Sequence, residues 1–157
     1  MSQASSPPAV AFIARSGTGK TTLVEALIRN LTARGHRVGA LKHDAHRFEI
    51  DHPGKDSRRF TEAGAEVMVL VADDTVAMVQ KPREPEKLDN ILHKWFNGLD
   101  LVLVEGYKTS DLPKIEIQRA VLDKPLLSRG QKNDPNLVAV VTDLGEDVIQ
   151  DWDVPVL

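Results

Sequence analysis

The sequence predicts an α/β fold in which a mostly parallel sheet carries helices on both faces. Short apolar runs of strand length alternate with segments whose apolar residues recur at helical spacing. The clearest case is a strand at residues 10–14, followed by a Gly-containing turn and a helix at residues 21–34. A second strand at residues 37–41 completes a βαβ unit, which is right-handed in nearly all proteins. We therefore expect parallel strands.

The rest of the chain supplies the remaining elements. Apolar patterns predict helices at 56–63 and 88–96 and strands at 101–104, 114–118, 138–142 and 154–157. The uninterrupted apolar run at 101–104 is typical of a central parallel strand. Residues 1–9 contain Ser-Ser and Pro-Pro pairs and are expected to form a disordered leader. The length suits a single domain from residue 10 to residue 157.

Two adjacent apolar runs predict an added β-hairpin. Residues 67–72 and 75–80 are joined by Asp73 and Asp74. Both runs are apolar at consecutive positions, whereas a hairpin strand with one solvated face alternates apolar and polar residues. We therefore expect both faces of the hairpin to be covered, with a second subunit as one covering surface.

Composition excludes several classes of protein. The 157 residues include 20 Lys plus Arg and 23 Asp plus Glu, and the net charge of −3 gives no global attraction to nucleic acid or to anionic membranes. The longest apolar stretches have about six residues, whereas a membrane-spanning helix needs roughly 20. The absence of Cys excludes disulfides and thiolate metal sites. We expect a cytoplasmic protein that binds neither nucleic acid nor membrane.

The strongest functional motif is Ala-Arg-Ser-Gly-Thr-Gly-Lys-Thr-Thr at residues 14–22. A phosphate-binding loop has this pattern between a strand and a helix, and Ala14 here replaces its usual first Gly. Gly17 and Gly19 let the backbone turn successive N–H groups inward, and the positive end of the following helix adds to the attraction for phosphate. The motif predicts a P-loop NTPase fold.

Each residue of this loop has an expected role. Lys20 is expected to contact the β- and γ-phosphate oxygens and to act in catalysis, and the Thr21 hydroxyl is expected to bind Mg²⁺. The predicted nucleotide-binding residues of the loop are Arg15, Ser16, Gly17, Thr18, Gly19, Lys20, Thr21 and Thr22.

Three acidic residues follow predicted strands, and ligands of parallel α/β proteins bind at the carboxyl ends of strands. Glu105 is the expected second Mg²⁺ ligand. Asp44 is a candidate catalytic residue that holds Mg²⁺ through water or orients an attacking water, although a solvated acid fits its position equally well. Asp143 is a candidate acceptor for the N–H donors of guanine. The segment at 131–134 only imitates the Asn-Lys-x-Asp element of GTP-binding proteins, because it precedes a strand.

The loop at residues 42–54 contains three of the five His residues. His43, His46 and His52 could suggest a transition-metal site. We favour a loop that contacts phosphate or a partner, because the His-x-x-His spacing is short and no paired ligand cluster occurs elsewhere in the sequence.

Several motifs, taken in order, resemble the molybdopterin-guanine dinucleotide biosynthesis adaptor family (MobB). They are Ser-Gly-Thr-Gly-Lys-Thr-Thr-Leu at 16–23, Lys-His-Asp-Ala-His at 42–46, Asp-His-Pro-Gly-Lys-Asp-Ser at 51–57, Ala-Gly-Ala at 63–65 and Val-Glu-Gly-Tyr-Lys at 104–108. The resemblance extends from residue 10 to about residue 119, with a weaker match at 138–157. It covers most of the chain.

This resemblance implies a GTP-binding homodimer with weak Mg²⁺-dependent hydrolysis. Such a protein assists the molybdenum cofactor guanylyltransferase that joins GMP to molybdopterin, and molybdopterin itself is a further candidate ligand. The resemblance implies GTP phosphates on residues 16–22, Mg²⁺ on Thr21 and Glu105, and the loop at 42–57 beside the γ-phosphate. Arg15 stands where related dimeric P-loop proteins sometimes carry a Lys that reaches across the subunit interface. The apolar hairpin is expected near that interface.

Two other interpretations remain open. A small-molecule kinase is the alternative, because the same loop would serve γ-phosphoryl transfer. Such an enzyme needs an acceptor pocket and a basic lid, for which the segments at 81–87 and 124–132 are the only basic-rich candidates. A structural protein with a vestigial loop is disfavoured by the intact Gly19-Lys20-Thr21.

Overall fold

The computed structural model describes residues 6–44, 54–129, 133–145 and 153–157. The chain divides into two compact units, one formed by Met1–His43 with Leu88–Leu157 and the other by Asp44–Lys87. The single domain expected from residue 10 to residue 157 remains a prediction. None of the helices in these described ranges is long and apolar enough to cross a bilayer.

The regular elements follow the predicted order along the chain. They are β1 (Ala9–Ala14), α1 (Lys20–Ala33), β2 (Val38–Lys42), α2 (Asp56–Glu62), β3 (Val67–Val71), β4 (Val76–Gln80), α3 (Leu88–Phe96), β5 (Leu101–Glu105), β6 (Lys114–Gln118), a one-turn 3-10 helix (Ala120–Leu122) and β7 (Leu137–Thr142). Most boundaries lie within one residue of the prediction.

The first unit contains a five-stranded sheet in the order β2-β5-β1-β6-β7. All four strand pairs are parallel, so their carboxyl ends share one edge of the sheet. Helix α1 packs through Leu27 and its neighbours against the buried Phe12, whereas Leu92 of α3 packs with Ala11 and Val102. Because adjacent strand residues point to opposite faces, the two helices cover the two faces of the sheet. The predicted fold class is confirmed.

The first and last described segments also join this sheet. The Pro8 carbonyl accepts a hydrogen bond from the Val102 N–H at 2.8 Å, and β1 begins at Ala9. The expected disordered leader at residues 1–9 therefore includes Pro8 and Ala9, whose backbone is part of the sheet. Residues 1–5 of that leader lie outside the described part of the chain. At the other end, Val156 forms a parallel bridge with Val140, as expected for a final extended segment.

One face of β6 is polar and buried. Lys114 and Glu116 are each 1% exposed. Glu116 accepts hydrogen bonds from the N–H of Leu127 at 2.5 Å and from the N–H and hydroxyl of Ser128 at 2.9 and 2.6 Å. Lys114 forms an ion pair with Asp134 at 3.0 Å. These bonds fix the loop that follows β6 and so shape this side of the carboxyl edge.

The second unit consists of α2 and an antiparallel hairpin of β3 and β4. Helix α2 contacts β3, and Met68 is buried. Cross-strand partners share a face, so Val67, Val69 and Val71 lie on one face with Val76 and Met78. The four valines of this set are exposed, and Val71 reaches 75% exposure. The hairpin is confirmed, but no described residue covers this valine face.

Candidate functional site

The loop between β1 and α1 has the backbone geometry that the motif predicts. Gly17 and Gly19 both have a φ of 81°, in the left-handed region that glycine adopts readily. Gly19 is the N-cap of α1, and no side chain of the described residues caps this helix start. The N–H groups of the first turn are therefore available to an anion. The hydroxyl of the buried Thr18 donates to the Arg15 carbonyl at 3.1 Å, which closes the loop on itself.

Three side chains from two elements, α1 and β2, meet at Glu105, the last residue of β5. Lys20 Nζ lies 2.6 Å from Glu105 Oε1, and Lys42 Nζ lies 3.6 Å from the same oxygen. Thr21 Oγ1 donates to Glu105 Oε2 at 3.1 Å. The strand order explains this meeting, because β5 lies between β1, which precedes the loop, and β2, which ends at Lys42. The structure thus brings together the predicted Lys20, Thr21 and Glu105.

Glu105 remains ionised in this environment. Its side chain is only 13% exposed, and burial alone would raise its pKa. The hydrogen bond and charge of Lys20, the hydrogen bond of Thr21 and the charge of Lys42 outweigh burial, so the pKa of Glu105 lies below its ordinary value. A charged carboxylate at the carboxyl edge is therefore present at neutral pH.

The oxygen atoms of this cluster suit Mg²⁺. A Mg²⁺ ion with ligands at about 2.0–2.1 Å in octahedral geometry places neighbouring ligand oxygens about 3 Å apart. Thr21 Oγ1 and Glu105 Oε2 are 3.1 Å apart. A hydroxyl and a carboxylate are also the hard oxygen donors that Mg²⁺ prefers. These two residues therefore fit the predicted metal site.

The turn after β5 holds Glu105 in place. The His43 N–H donates to the Glu105 carbonyl at 2.9 Å, and the Gly106 N–H donates to the Phe12 carbonyl at 3.1 Å. A Cβ atom on Gly106 would lie 3.0 Å from the His43 carbonyl oxygen, so a side chain would be crowded there. Tyr107 packs its ring against His43 with 4.4 Å between centroids, and burial raises the pKa of its phenol. Tyr107 therefore braces the turn.

The opposite side of the loop faces β6 and β7. Arg119 Nε donates to Asp143 Oδ2 at 2.7 Å, and the Ala120 N–H donates to Asp143 Oδ1 at 2.7 Å. These bonds, the backbone one first, lower the pKa of Asp143. Arg15 donates from Nη2 to the Pro125 carbonyl at 3.1 Å, so it reaches the segment after β6 in its own chain. Sequence reasoning missed Arg119, although its position directly after a strand was a usable signal.

A cavity of about 770 Å³ lies beside these residues. Its lining includes Ala120 and Leu144, which directly follow Arg119 and Asp143 in the chain. Apolar Leu126 and Val154 also line it, together with the amide of Gln118. This volume is within the range typical of small-molecule sites, about 300–1,000 Å³.

The remaining predicted residues are placed as follows. The side chains of Ser16 and Thr22 are exposed beside the loop. Asp44 belongs to the second unit, so its catalytic role stays a prediction. His46 and His52 lie outside the described residues. Across the residues that the structure does describe, no group of three or more His, Asp or Glu side chains is arranged to hold a metal ion.

The sheet and the loop define a class of protein. A parallel α/β sheet, a glycine loop that opens a helix and a Lys–Thr pair beside a strand-end carboxylate together describe a P-loop protein. Comparison with protein families gives the particular one. The family model described as "MobB: Molybdopterin guanine dinucleotide synthesis protein B" matches residues 9–143. The chain belongs to the MobB family.

Individual relatives agree with this assignment. The "Molybdopterin-guanine dinucleotide biosynthesis adapter protein" of Haemophilus influenzae is 42% identical over 120 residues, which cover 76% of this chain and 67% of the relative. The protein of the same name in Escherichia coli is 34% identical over 162 residues, covering 92% and 93%. The crystal structure of Bacillus subtilis MobB is similar with a TM-score of 0.72 at 25% identity, over 95% of this chain and 88% of that one.

Proposed function

We propose that this protein is a GTP-binding adaptor of molybdopterin guanine dinucleotide biosynthesis. The observation that carries the proposal is the convergence of Lys20 and Thr21 on Glu105 at the P-loop of a MobB family member. Relatives named as adapter proteins of this pathway support the biosynthetic role. The compartment that fits such a role, and a chain without Cys, is the cytoplasm.

Nucleotide binding would change the partners of Lys20, Thr21 and Glu105. The N–H groups at the start of α1 and the Lys20 ammonium would receive the phosphates, while Thr21 and Glu105 would hold Mg²⁺. When bound, Mg²⁺ neutralises charge on the phosphate oxygens. Lys20 would then leave Glu105 for a phosphate oxygen, and Asp44 remains the candidate for orienting an attacking water. We expect hydrolysis to be slow, as suits an accessory protein.

We further propose two macromolecular partners. One is the guanylyltransferase that joins GMP to molybdopterin, with molybdopterin as an additional candidate ligand. The other is a second copy of this chain. The support for the dimer is the exposed apolar face of the hairpin, which contains Val69 and Val71. An isolated two-stranded hairpin is marginally stable in water, so burial of this face against a partner would stabilise it.

The test is binding and turnover of GTP and ATP with Mg²⁺, with and without molybdopterin and the transferase. We expect Lys20→Ala to lose triphosphate binding by at least about 100-fold, since it removes the ammonium group proposed to contact the phosphates, while its circular dichroism stays native. Arg34→Ala is the control, because Arg34 is an exposed cation at the C-terminal end of α1, the end away from the loop.

Two results would contradict the proposal. One is a tight preference for ATP, and the other is phosphorylation of a metabolite by this chain alone, which is the behaviour of a kinase. Unchanged affinity in Lys20→Ala would show that the loop is not the phosphate site.

A further inference from the structure

Arg119 is the one cation that joins the P-loop side of the carboxyl edge to Asp143 among the described residues. It follows β6, the strand between β1 and β7. Its Nε holds Asp143 at 2.7 Å. Its Nη1 lies 4.0 Å from the position that a Cβ atom on Gly19 would occupy, which is ordinary van der Waals contact. The guanidinium therefore spans from the start of α1 to the end of β7.

The charge of Arg119 is largely compensated where it stands. Asp143 forms an ion pair with it, and both side chains are about half exposed, at 46% and 45%. Lys20 is also ion-paired, but with Glu105 of the proposed metal site on the other side of the loop. A paired, planar guanidinium is better suited to packing on an aromatic ring than to acting as a further phosphate ligand.

Asp143 keeps unused acceptor capacity. A carboxylate has about four acceptor positions, and the bonds from Arg119 and Ala120 occupy one on each oxygen. Two positions are left. Guanine presents two neighbouring N–H donors, at N1 and at the 2-amino group, whereas adenine has no donor at either position.

We propose that Arg119 is a specificity-determining residue, whose guanidinium packs on the face of the purine ring and whose Nε presents Asp143 to the guanine N–H donors. This inference rests on the proposed GTP binding. Arg119 and Asp143 do not themselves line the cavity, but the residues that follow them in the chain, Ala120 and Leu144, do. The inference assigns a role to a residue that the loop motif does not include.

The experiment compares Arg119→Lys with the intact chain, using GTP, ATP and inorganic tripolyphosphate, each with Mg²⁺. Lys keeps the charge but loses the planar surface and the Nε contact. We expect GTP affinity to fall about tenfold, with tripolyphosphate affinity within about twofold of the intact chain and the preference for GTP over ATP reduced. Arg37→Lys is the control, because Arg37 donates to the Gly98 carbonyl before the amino end of β2.

A second variant tests the base contact directly. In Asp143→Asn, an amide N–H faces the ligand, so the variant should lose GTP and gain affinity for xanthosine triphosphate, which has an oxygen where guanine has its 2-amino group. An unchanged preference between GTP and xanthosine triphosphate would overturn the inference.

Other outcomes separate this inference from the proposed function. Equal losses of GTP and tripolyphosphate in Arg119→Lys would make Arg119 a phosphate ligand and overturn its base-contacting role. Tripolyphosphate binding that depends on Lys20, without preference for GTP in the intact chain, would overturn the inference alone. Absence of any triphosphate binding would overturn both proposals.

Discussion

Glu105 is the residue that the other polar side chains of the site contact. Its two oxygens already have partners, with Lys20 and Lys42 on one and Thr21 on the other. A nucleotide without Mg²⁺ must take Lys20 from Glu105 and leaves that carboxylate poorly compensated. A metal ion without a nucleotide would meet the positive charge of Lys20 beside Glu105, with no phosphate to receive that ammonium group. Binding of the two ligands is therefore expected to be mutually reinforcing.

Glu105→Gln should break this dependence. The amide oxygen can still accept from Thr21, but the variant has no charge for Mg²⁺ or for Lys20. Mg²⁺ should increase the GTP affinity of both proteins, but the increase should be at least about tenfold smaller in the variant than in the intact chain. Without Mg²⁺, the variant should bind GTP as tightly as the intact chain or more tightly, because Lys20 is no longer paired with a carboxylate. Calorimetric titration with Mg²⁺ and with EDTA measures both. Glu25→Gln is the control, because Glu25 is exposed on α1 and pairs only with Arg29 among the described contacts.

Equal GTP affinity of the intact chain with Mg²⁺ and with EDTA would contradict the metal assignment. The pH profile gives a second check. Because the pKa of Glu105 lies below the ordinary glutamate value of 4.5, the carboxylate is ionised at every pH well above that value. The difference in Mg²⁺ dependence between the intact chain and Glu105→Gln should accordingly persist from about pH 8 to about pH 5, because the titration of the nucleotide's own terminal phosphate at about pH 6 affects both proteins alike.

Single site residues could be predicted from the sequence where a motif or the end of an apolar strand identifies them. The loop motif identified Lys20 and Thr21, and the end of an apolar strand identified Glu105. Arg119 and the buried Glu116 were not predicted. Glu116 lies in the alternating pattern Lys-Ile-Glu-Ile-Gln, which is the same for a strand with a solvated face and for one covered by a polar loop. Only the contact with Ser128, 12 residues away, distinguishes the two.

At the scale of elements, the hairpin differs most from the sheet around the P-loop. Each strand of the five-stranded sheet contributes to a covered core, whereas β3 and β4 expose an apolar face. Val71 and Val76 are direct cross-strand partners and are 75% and 68% exposed. Contiguous exposed apolar surface of this kind is the support for the proposed dimer.

We expect Val69→Lys to shift the protein toward the monomer, because Val69 lies in the middle of the exposed face and a charge there cannot be buried unpaired. Light scattering after gel filtration measures the mass across a range of concentrations. Thr75→Lys, in the hairpin turn, is the control. A wild-type protein that is monomeric at every concentration, or a Val69→Lys variant that dimerises normally, would contradict the dimer proposal.

The positions of helices and strands were predictable, whereas their arrangement was not. Apolar periodicity is local, so it located β6 without error and β1 within one residue. The order β2-β5-β1-β6-β7 depends on pairing between segments far apart in sequence, such as Val38 with Leu101. That pairing is what places Lys42 beside Glu105, a contact that no local pattern indicated.

At the scale of the whole molecule, a net charge of −3 coexists with a basic edge on the first unit. The residues at or just beyond the carboxyl ends of its strands include Arg15, Lys20, Lys42, Lys108 and Arg119. A slightly acidic protein can in this way attract a polyanionic ligand to one place.

Ligand binding at this edge should stabilise the folded state. GTP and Mg²⁺ at 100 times the dissociation constant add about 2.7 kcal/mol to the free energy of unfolding. For a chain of this size, the unfolding temperature should rise by roughly 5–10 °C. Thermal unfolding followed by circular dichroism measures the shift, and Lys20→Ala should show almost none. Saturating binding without a shift would mean that the unfolded chain binds the ligand equally well.

The order of the strands also sets the distance between Glu105 and Asp143. Glu105 ends β5 and Asp143 follows β7, and three strand spacings of about 4.8 Å separate these strands by about 14 Å. A ligand that engages both residues must extend across this span. A nucleoside diphosphate is one phosphate shorter, so after hydrolysis we expect it to keep one end of the span and release the other.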